Sequence, residues 1–253
     1  MLEVTGLTKT YRAGFLGRDH TDAVKNISFA IREGEIFGLF GESGCGKTTT
    51  SKILMGLLSA TSGSAVYNGT KLVGLKRRQW KPIRREIQMI YQHPQMTFHP
   101  RGTIYSACAE PVRLYGLAKN RAEERELIHG MVERVGVSPD QLKKFPHEIS
   151  GGQAQRISIA RTLILQPKLL ICDEPTSMLD ISVQAQVLSM LKKIHREHGI
   201  ALLYISHDLD VIRALCQRVA VMKDGEIVEM GQTEAIFSRP SHPYTRALLE
   251  ARM

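Results

Sequence analysis

The chain has 253 residues, 43% of them hydrophobic, so it is long enough to bury the core of one large α/β domain. No apolar run approaches the ~18 residues of a membrane-spanning helix, and the N-terminus has no signal-peptide pattern, which favours a soluble or peripheral protein. Four cysteines without CxxC spacing argue against a disulfide framework or a zinc site and favour a reducing cytoplasm: Cys45, Cys108, Cys172 and Cys216.

The formal net charge of +9 is typical of proteins that meet nucleic acid or a membrane surface. The basic residues cluster at 76–85, where Trp80 is the one aromatic residue. Nucleic-acid surfaces interleave basic side chains with several stacking aromatic ones. We therefore expect a solvated basic face beside a strand, and no nucleic-acid partner, for the cluster of Lys76, Arg77, Arg78, Lys81, Arg84 and Arg85.

The N-terminal third predicts strands first and then an α/β pattern. Residues 1–35 predict short strands separated by turns at Gly6, Gly14, Gly17 and Glu33-Gly34. Next come a short apolar strand at 36–40, a glycine-rich loop, and a helix over 47–58. Further apolar runs, of the kind buried on both faces in a parallel sheet, lie at 87–91, 169–172 and 201–205.

The middle of the chain predicts helices, and the C-terminal part returns to strands. Residues 104–165 read mainly as helix, with polar breaks near 116–120, 136–140 and 145–152. We expect a helical subdomain over about 93–165, inserted in a single domain that spans 1–253. At 219–228 the central pair Asp224-Gly225 predicts a tight β-hairpin.

Residues 41–48 read GESGCGKT and fit G-x-x-x-x-G-K-[ST], the loop pattern that cradles the phosphates of ATP. Its glycines let backbone N–H groups point inward at the start of a helix. Lys47 would supply charge to the outer phosphates, and the Thr48 hydroxyl is placed to ligate Mg²⁺. The predicted nucleotide contacts here are Gly41, Glu42, Ser43, Gly44, Cys45, Gly46, Lys47, Thr48 and Thr49.

Cys45 allows two interpretations. Inward N–H dipoles and the neighbouring Lys47 would lower the pKa of its thiol and make it reactive. Alternatively, it is an inert small residue that a tight loop shields from solvent.

The run LLICDE at 169–174 ends an apolar strand in two carboxylates. At the tip of a buried strand, Asp173 can hold the Mg²⁺ that Thr48 also touches. Glu174 next to it can orient and activate the attacking water, so it is the candidate general base. An acidic strand end without a role is the alternative, which the phosphate loop upstream disfavours.

Residues 150–153 read SGGQ and open a predicted helix from Gln153 to about residue 165. Two glycines and a serine hydroxyl at a helix start form a second anion-binding surface. The chain thus has two phosphate-binding surfaces, of which only residues 41–48 carry Lys47 and a Mg²⁺ ligand.

Three further features accompany these motifs: Gln92 after the strand IQMIY, the run SMLD at 177–180, and His207 after the strand ALLYIS. Their order and spacing resemble the ATP-binding cassette (ABC) ATPases over essentially the whole chain. The resemblance implies ATP hydrolysis with ATP and Mg²⁺. It also implies an α/β fold: a P-loop NTPase core with a mainly parallel sheet, an N-terminal antiparallel β subdomain and an inserted helical subdomain.

The resemblance also implies roles for individual residues. Tyr11 resembles the aromatic residue that stacks on adenine, Gln92 the Q-loop residue that senses Mg²⁺ and the membrane partner, and His207 the switch histidine at the γ-phosphate. Asp180 resembles the aspartate that crosses the dimer interface. Without the neighbouring motifs, Tyr11 would be interpreted as an ordinary aromatic residue of a strand, His207 as a histidine at a strand end and Gln92 as a loop amide.

In the family each signature helix caps ATP held by the opposite subunit. The matching residues here are Ser150, Gly151, Gly152 and Gln153.

The segments SHPYTRALL at 241–249 and QHPQMTFHPR at 92–101 resemble the peptide/nickel importer ATPases, although His99 stands where asparagine is usual. An ordinary amphipathic terminal helix is the alternative for the first segment. The resemblance implies an energy-coupling ATPase of a bacterial importer for peptides, nickel or metal chelates, at the cytoplasmic face of the membrane. The implied partners are a second ABC ATPase, two transmembrane permeases and, indirectly, an extracytoplasmic substrate-binding protein. A non-transport ATPase of the same subfamily, such as a carbon–phosphorus lyase accessory subunit, is the alternative function.

Overall fold

The computed structural model describes residues 1–13 and 19–250. Two sheets form its framework: an antiparallel sheet of order β2-β1-β4-β5 and a six-stranded sheet of order β10-β9-β3-β8-β7-β6. The strands are β1 (Leu2–Ala13), β2 (Asp19–Ile31), β3 (Ile36–Phe40), β4 (Ser62–Tyr67), β5 (Thr70–Lys71), β6 (Ile87–Ile90), β7 (Leu169–Asp173), β8 (Ala201–Ser206), β9 (Arg218–Lys223) and β10 (Glu226–Gln232).

The helices lie mostly between β6 and β7 and after β7. Between those two strands the described residues form helices and 3₁₀ turns, in the region where the sequence predicts the helical subdomain. The helices are α1 (Lys47–Leu54), α2 (Trp80–Glu86), α3 (Ile104–Tyr115), α4 (Arg121–Arg134), α5 (Gly151–Leu163), α6 (Ile181–His198), α7 (Leu209–Leu215), α8 (Thr233–Ser238) and α9 (Pro243–Glu250).

The six-stranded sheet is the middle layer of the molecule, because its strands bury both faces. Along β8, Leu203 and Ile205 pack in the core shared with the antiparallel sheet and α1. Leu202 and Tyr204, on the other face, pack in the core shared with the helices. Side chains alternate across a strand, so one apolar run serves both cores. The predicted α/β fold with a mainly parallel sheet is confirmed, since β3, β6, β7, β8 and β9 pair in parallel.

The structure corrects two predicted elements near the N-terminus. Gly6 does not end a strand: it lies within β1 at a positive φ of 59°, where the pairing of β1 with β2 shifts register. A bulge accommodates the extra residue without a turn. The helix after the glycine-rich loop ends at Leu54, because Gly56 takes a left-handed φ of 65° and the Trp80 ring packs against it. The turns predicted at Gly14 and Gly17 lie outside the described residues.

Other expectations agree with the structure. The turn at Glu33-Gly34 and the hairpin turn at Asp224-Gly225 are present. The basic residues at 76–85 are exposed or half-buried around a 3₁₀ turn and α2, whereas Trp80 is buried, so it offers no ring for base stacking. Among the described residues, each helix is too short or too polar to cross a lipid bilayer.

Candidate active site

The predicted site residues follow the carboxyl ends of four neighbouring parallel strands. Phe40 at the end of β3 pairs with Ser206 of β8, Ile205 of β8 pairs with Asp173 of β7, and Cys172 of β7 pairs with Ile90 of β6. Parallel strands place their carboxyl ends at one edge, where α/β proteins bind ligands. Consequently the phosphate loop, the two carboxylates, His207 and Gln92 all start from the same edge of the sheet.

The phosphate loop is tightly packed at its two buried glycines. A side chain at Gly46, which has a φ of 107°, would lie 2.1 Å from the carbonyl oxygen of Ala23. A side chain at Gly41 would lie 2.2 Å from the carbonyl oxygen of Met222. Gly41, Cys45, Gly46 and Lys47 are buried, Thr49 is half-buried, and Glu42, Ser43, Gly44 and Thr48 are exposed.

Lys47 is folded onto its own loop. Its Nζ donates to the carbonyl oxygens of Gly41 at 2.7 Å and Glu42 at 2.8 Å. A buried ammonium held by neutral carbonyls can exchange them for anionic phosphate oxygens at low cost, because charge-assisted hydrogen bonds are the stronger ones. Lys47 therefore lies where a nucleotide phosphate would need a counter-charge.

The buried carboxylate of Asp173 is bound by two hydroxyls. Thr48 Oγ1 donates to Oδ1 at 3.1 Å and Ser51 Oγ donates to Oδ2 at 3.0 Å. Burial raises the pKa of Asp173, and the two hydroxyl donors offset that only in part. A buried carboxylate beside a hydroxyl is a hard oxygen donor set, which fits Mg²⁺, a cation that keeps waters and substrate phosphates as its other ligands. No cluster of three or more His, Cys, Asp or Glu side chains that could hold a metal ion occurs among residues 1–13 and 19–250.

The remaining catalytic candidates lie around the carboxylate of Glu174. Gln92 Nε2 donates to its Oε2 at 3.2 Å, and His207 Nδ1 lies 3.1 Å from the same oxygen without the alignment of a hydrogen bond. Lys47 Nζ lies 4.0 Å from Oε1, and the Glu174 side chain is only 12% exposed. A largely buried carboxylate beside the phosphate-binding lysine is placed to accept a proton from water. The structure thus brings Lys47, Gln92, Glu174 and His207 into one cluster.

Tyr11 lies on β1 beside the phosphate loop. It pairs with Thr21 of β2, two residues before Ala23, whose carbonyl approaches Gly46. Its side chain is 41% exposed, and Lys9 Nζ lies 5.1 Å from its ring centroid. An exposed ring at this place is available for stacking on a base.

The SGGQ segment forms the start of α5 on another part of the surface. Ser150 Oγ accepts from Gln153 N–H at 3.2 Å while Gln153 Oε1 accepts from Ser150 N–H at 3.0 Å, which is a reciprocal capping box. A side chain at Gly152 would meet Val183 of α6 at 2.9 Å. A cleft of about 190 Å³ lies between Gly151, the Gln92 loop and Met178. The exposed Ser150 and Gly151 therefore face outward, next to the loop that carries Gln92.

Asp180 has a local role that the sequence did not indicate. Its Oδ1 accepts from Val183 N–H at 3.0 Å and from Ser182 Oγ at 2.7 Å, so it caps the start of α6. The Ser182 hydroxyl and the Val183 N–H lower the pKa of Asp180. The helix that Asp180 caps is the one that contacts Gly152 of the SGGQ segment.

For Cys45, the structure favours the inert interpretation. The side chain is 6% exposed, and burial raises the pKa of its thiol although Lys47 Nζ lies 3.7 Å from Sγ. Desolvation penalises the thiolate more than the nearby ammonium stabilises it. All four cysteines are buried free thiols.

Two site residues were missed from the sequence. Ser51 lies three residues after Thr48 on the same face of α1 and binds Asp173, so helical spacing would have identified it. Ser177 Oγ lies 3.1 Å from Gln92 Nε2 and donates to the Glu174 carbonyl at 3.1 Å. Only the folded loop brings Ser177 to Gln92, 85 residues earlier in the chain.

Comparisons with known proteins place this site in a family. The family model described as ABC transporter matches residues 24–177, which include the phosphate loop, Gln92, the SGGQ segment and both carboxylates. The chain belongs to the ABC transporter family. This chain is an ATPase that uses ATP and Mg²⁺. A second family model, described as the C-terminal region of oligopeptide/dipeptide transporters, matches residues 228–253.

Curated members of the ABC transporter family are similar over nearly the whole chain. The oligopeptide transport ATP-binding protein OppF of Escherichia coli is 47% identical over 229 residues, 90% of this chain and 69% of that protein. OppF of Haemophilus influenzae is 42% identical over 251 residues, 99% of this chain and 76% of that protein. The glutathione import ATP-binding protein GsiA of Salmonella typhi is 44% identical, but the match covers only 41% of its length.

Solved ABC structures share the fold. A dimeric post-hydrolysis state of the ATP-binding cassette MJ0796, bound to ADP and Pi, matches with a TM-score of 0.84 and 29% identity over 92% of this chain and 99% of that one. The cbiO1 structure from Clostridium perfringens, part of the transporter complex cbiONQ, matches with a TM-score of 0.80 and 26% identity over 100% of this chain and 98% of that one.

Proposed function

We propose that this ABC ATPase is the energy-coupling subunit of an importer for peptides. The observation that carries the catalytic part of the proposal is the cluster of Lys47, Gln92 and His207 around the Glu174 carboxylate. The match of residues 228–253 to the C-terminal region of oligopeptide/dipeptide transporters supports peptides as cargo. Nickel and metal chelates, which the sequence also indicated, find less support, because the curated relatives reported above are named for oligopeptide transport or glutathione import.

In the proposed reaction, each side chain has a distinct task. Lys47 moves from the carbonyls of its loop to the outer phosphates, and the ring of Tyr11 stacks on adenine. Thr48, Asp173 and Gln92 would hold Mg²⁺, which when bound offsets the charge on the phosphate oxygens. Ser51, whose hydroxyl donates to the Asp173 carboxylate, keeps that carboxylate oriented.

Glu174 performs the proton transfer. Its carboxylate accepts a proton from water while the water oxygen bonds to the γ-phosphorus and the bond to the ADP oxygen breaks. His207 and Gln92, both at the same carboxylate oxygen, fix its direction. Lys47 Nζ lies 4.0 Å from the other carboxylate oxygen.

The second phosphate-binding surface requires a partner. The SGGQ segment faces outward, and its capping box pairs the N–H groups of Ser150 and Gln153. We propose that Ser150, Gly151, Gly152 and Gln153, together with Asp180, meet ATP held by a second ABC ATPase, in a heterodimer. Two permease subunits would dock near the Gln92 loop at the cytoplasmic face of the membrane, and a substrate-binding protein would act through them.

The test is reconstitution. The chain is purified alone, and then with the ATPase and permeases encoded beside it, in vesicles containing a peptide-loaded binding protein. We expect low ATPase activity from the chain alone and a rise that depends on the permeases and on peptide, with nickel chelates as the comparison cargo. High cargo-independent activity of the chain alone, or copurification with a soluble lyase complex and no permease, would contradict the importer.

A further inference from the structure

The C-terminal segment is fixed to the hairpin of β9 and β10. Glu229 Oε1 accepts from both the N–H and the hydroxyl of Ser241 at 2.7 Å, and its Oε2 accepts from His242 N–H at 3.2 Å. His242 Nδ1 in turn accepts from Tyr244 N–H at 3.2 Å. These bonds set the position of Tyr244 in the first turn of α9.

The same hairpin is bonded to the phosphate loop. Gly225 N–H donates to the carbonyl of Cys45 at 3.1 Å, and Gly225 accepts from Lys25 N–H of β2 at 2.7 Å. Just before the hairpin turn, Lys223 Nζ lies 4.8 Å from the ring centroid of Tyr244. The hairpin thus contacts the phosphate loop on one side and Tyr244 on the other.

The hydroxyl of Tyr244 is buried and has no hydrogen-bond partner among the described residues. Burial, and then the neighbouring carboxylate of Glu42, raise the pKa of Tyr244 to about 12, so the hydroxyl is a donor at neutral pH. The carbonyl of Glu42 is one of the two that hold Lys47 Nζ. A buried donor without an aligned acceptor is costly, and the Glu42 carboxylate beside it is an acceptor that a small movement of the loop would bring into line.

We propose that Tyr244 is a positioning residue of the ATP site, whose hydroxyl donates to the Glu42 carboxylate. This bond holds the outer side of the phosphate loop when Lys47 leaves the loop carbonyls for the phosphates. The C-terminal region thereby contributes to nucleotide affinity through the loop, without touching the reacting atoms. This inference rests on the proposed function only in taking residues 41–48 as the nucleotide loop.

The test is Tyr244→Phe in the full chain, which keeps the ring and its contact with Lys223 but removes the hydroxyl. We expect the Kd for MgATP to rise about 3- to 10-fold, the typical value of one hydrogen bond. The KM for ATP should rise by the same factor while kcat at saturating ATP stays unchanged, and the melting temperature should stay within about 2 °C of the wild type. The matched control is Tyr115→Phe, which removes a hydroxyl that donates to the Lys81 carbonyl away from this site and should leave the Kd unchanged.

Variants of Glu42 and Lys47 distinguish failure of the Tyr244 inference from failure of the nucleotide-loop assignment. In Glu42→Gln combined with Tyr244→Phe, the effects on Kd should be less than additive, because both changes alter one contact. Wild-type affinity in Tyr244→Phe, or additive effects in the double variant, would overturn the inference while Lys47→Ala still shows weakened binding. If Lys47→Ala also binds MgATP as the wild type does, the nucleotide-loop assignment itself is wrong, and the role of Tyr244 fails with it.

Discussion

Glu174 has a φ of 48°, a left-handed backbone conformation that residues other than glycine rarely adopt. Such a conformation costs on the order of 1–3 kcal/mol and persists where the surroundings enforce it. Here the Glu174 N–H donates to the Ile205 carbonyl at 3.0 Å, which ties the residue after β7 to β8. The strained residue is the one whose carboxylate lies near Lys47, Gln92 and His207, so we attribute the strain to the placement of the proposed catalytic base.

Lys47→Ala should abolish ATP turnover and weaken MgATP binding by at least about tenfold, because the variant loses the ammonium that would bind the outer phosphates. Equilibrium binding of a fluorescent ATP analogue and phosphate release measure the two effects. The control is Lys193→Ala, an exposed lysine on α6, which should retain both properties. Unchanged affinity and rate in Lys47→Ala would contradict the assignment of residues 41–48.

The buried thiol of Cys45 should react slowly with maleimide. Because burial raises its pKa, the thiolate fraction stays small at neutral pH and grows only in alkaline solution. We expect negligible labelling of the native chain at pH 7 within an hour and four labelled cysteines after denaturation, counted by mass spectrometry. Rapid labelling at Cys45 that MgATP prevents would restore the reactive interpretation.

At the scale of residues, the sequence predicted which candidate residues lie at strand ends better than it predicted the contacts of their side chains. GESGCGKT, the two carboxylates, Gln92 and His207 stand at strand ends, and parallel pairing alone brings strand ends together. The contact of Ser177 with Gln92 and that of Tyr244 with Lys223 depend on the side-chain positions of distant segments. No spacing rule along the chain reports these contacts, so they emerged only from the structure.

At the scale of elements, apolar strands were the most predictable features. Ile36–Phe40 has the predicted bounds, and the strands ending at Asp173 and Ser206 are each one residue longer than predicted. Their continuous apolar runs reflect burial on both faces, which sequence can show. The end of α1 was misplaced because packing of Trp80 on Gly56, 24 positions apart, decides it. The subdomain boundaries at about 93–165 stay a prediction.

The capping box of α5 should serve both stability and the subunit interface. Ser150→Ala should lower stability by about 1 kcal/mol, the usual loss of an N-cap. Thr103→Ala is the matched control, since the Thr103 side chain caps α3 by accepting from Ser106 N–H at 3.2 Å. Thermal unfolding should show similar losses for both variants, whereas MgATP-dependent dimerisation should fall for Ser150→Ala alone. Equal dimerisation in the two variants would remove Ser150 from the interface.

The contact of Glu229 with the C-terminal segment should make stability depend on pH. Burial alone would raise the pKa of Glu229, but the hydroxyls of Thr245 and Ser241 and the N–H groups of Ser241 and His242 lower it from 4.5 to about 2. The fold therefore prefers the ionised form. Its contribution is complete above about pH 5 and is lost as the pH falls towards about 2.

Glu229→Gln isolates this contribution. We expect the variant to be less stable than the wild type by about 1 kcal/mol at pH 7, a value reduced for partial exposure. The difference in melting temperature should shrink steadily from pH 5 to pH 2. A difference that stays constant over this range would show that the charge of Glu229 does not hold the segment.

At the scale of the whole molecule, one chain presents two surfaces that we propose to bind phosphate. The first lies at the carboxyl edge of the six-stranded sheet, and the second lies at the start of α5, which packs against α6 through Gly152 and Val183. Only the first carries the proposed base and the proposed Mg²⁺ ligands. We therefore propose that a complete site joins the first surface of one subunit to the second surface of another, with ATP bound between them.

The most direct test of this account is the turnover and the oligomeric mass of Glu174→Gln in saturating MgATP, measured alone and with the partner ATPase. The variant keeps Lys47, the Mg²⁺ ligands and the outward-facing SGGQ segment but loses the proton acceptor. We predict normal ATP binding, turnover reduced about 100- to 10,000-fold, and accumulation of an ATP-bound dimer. The exposed Glu126→Gln on α4 is the control and should behave as the wild type. Wild-type turnover in Glu174→Gln, or loss of turnover without any ATP-dependent dimer, would contradict the account.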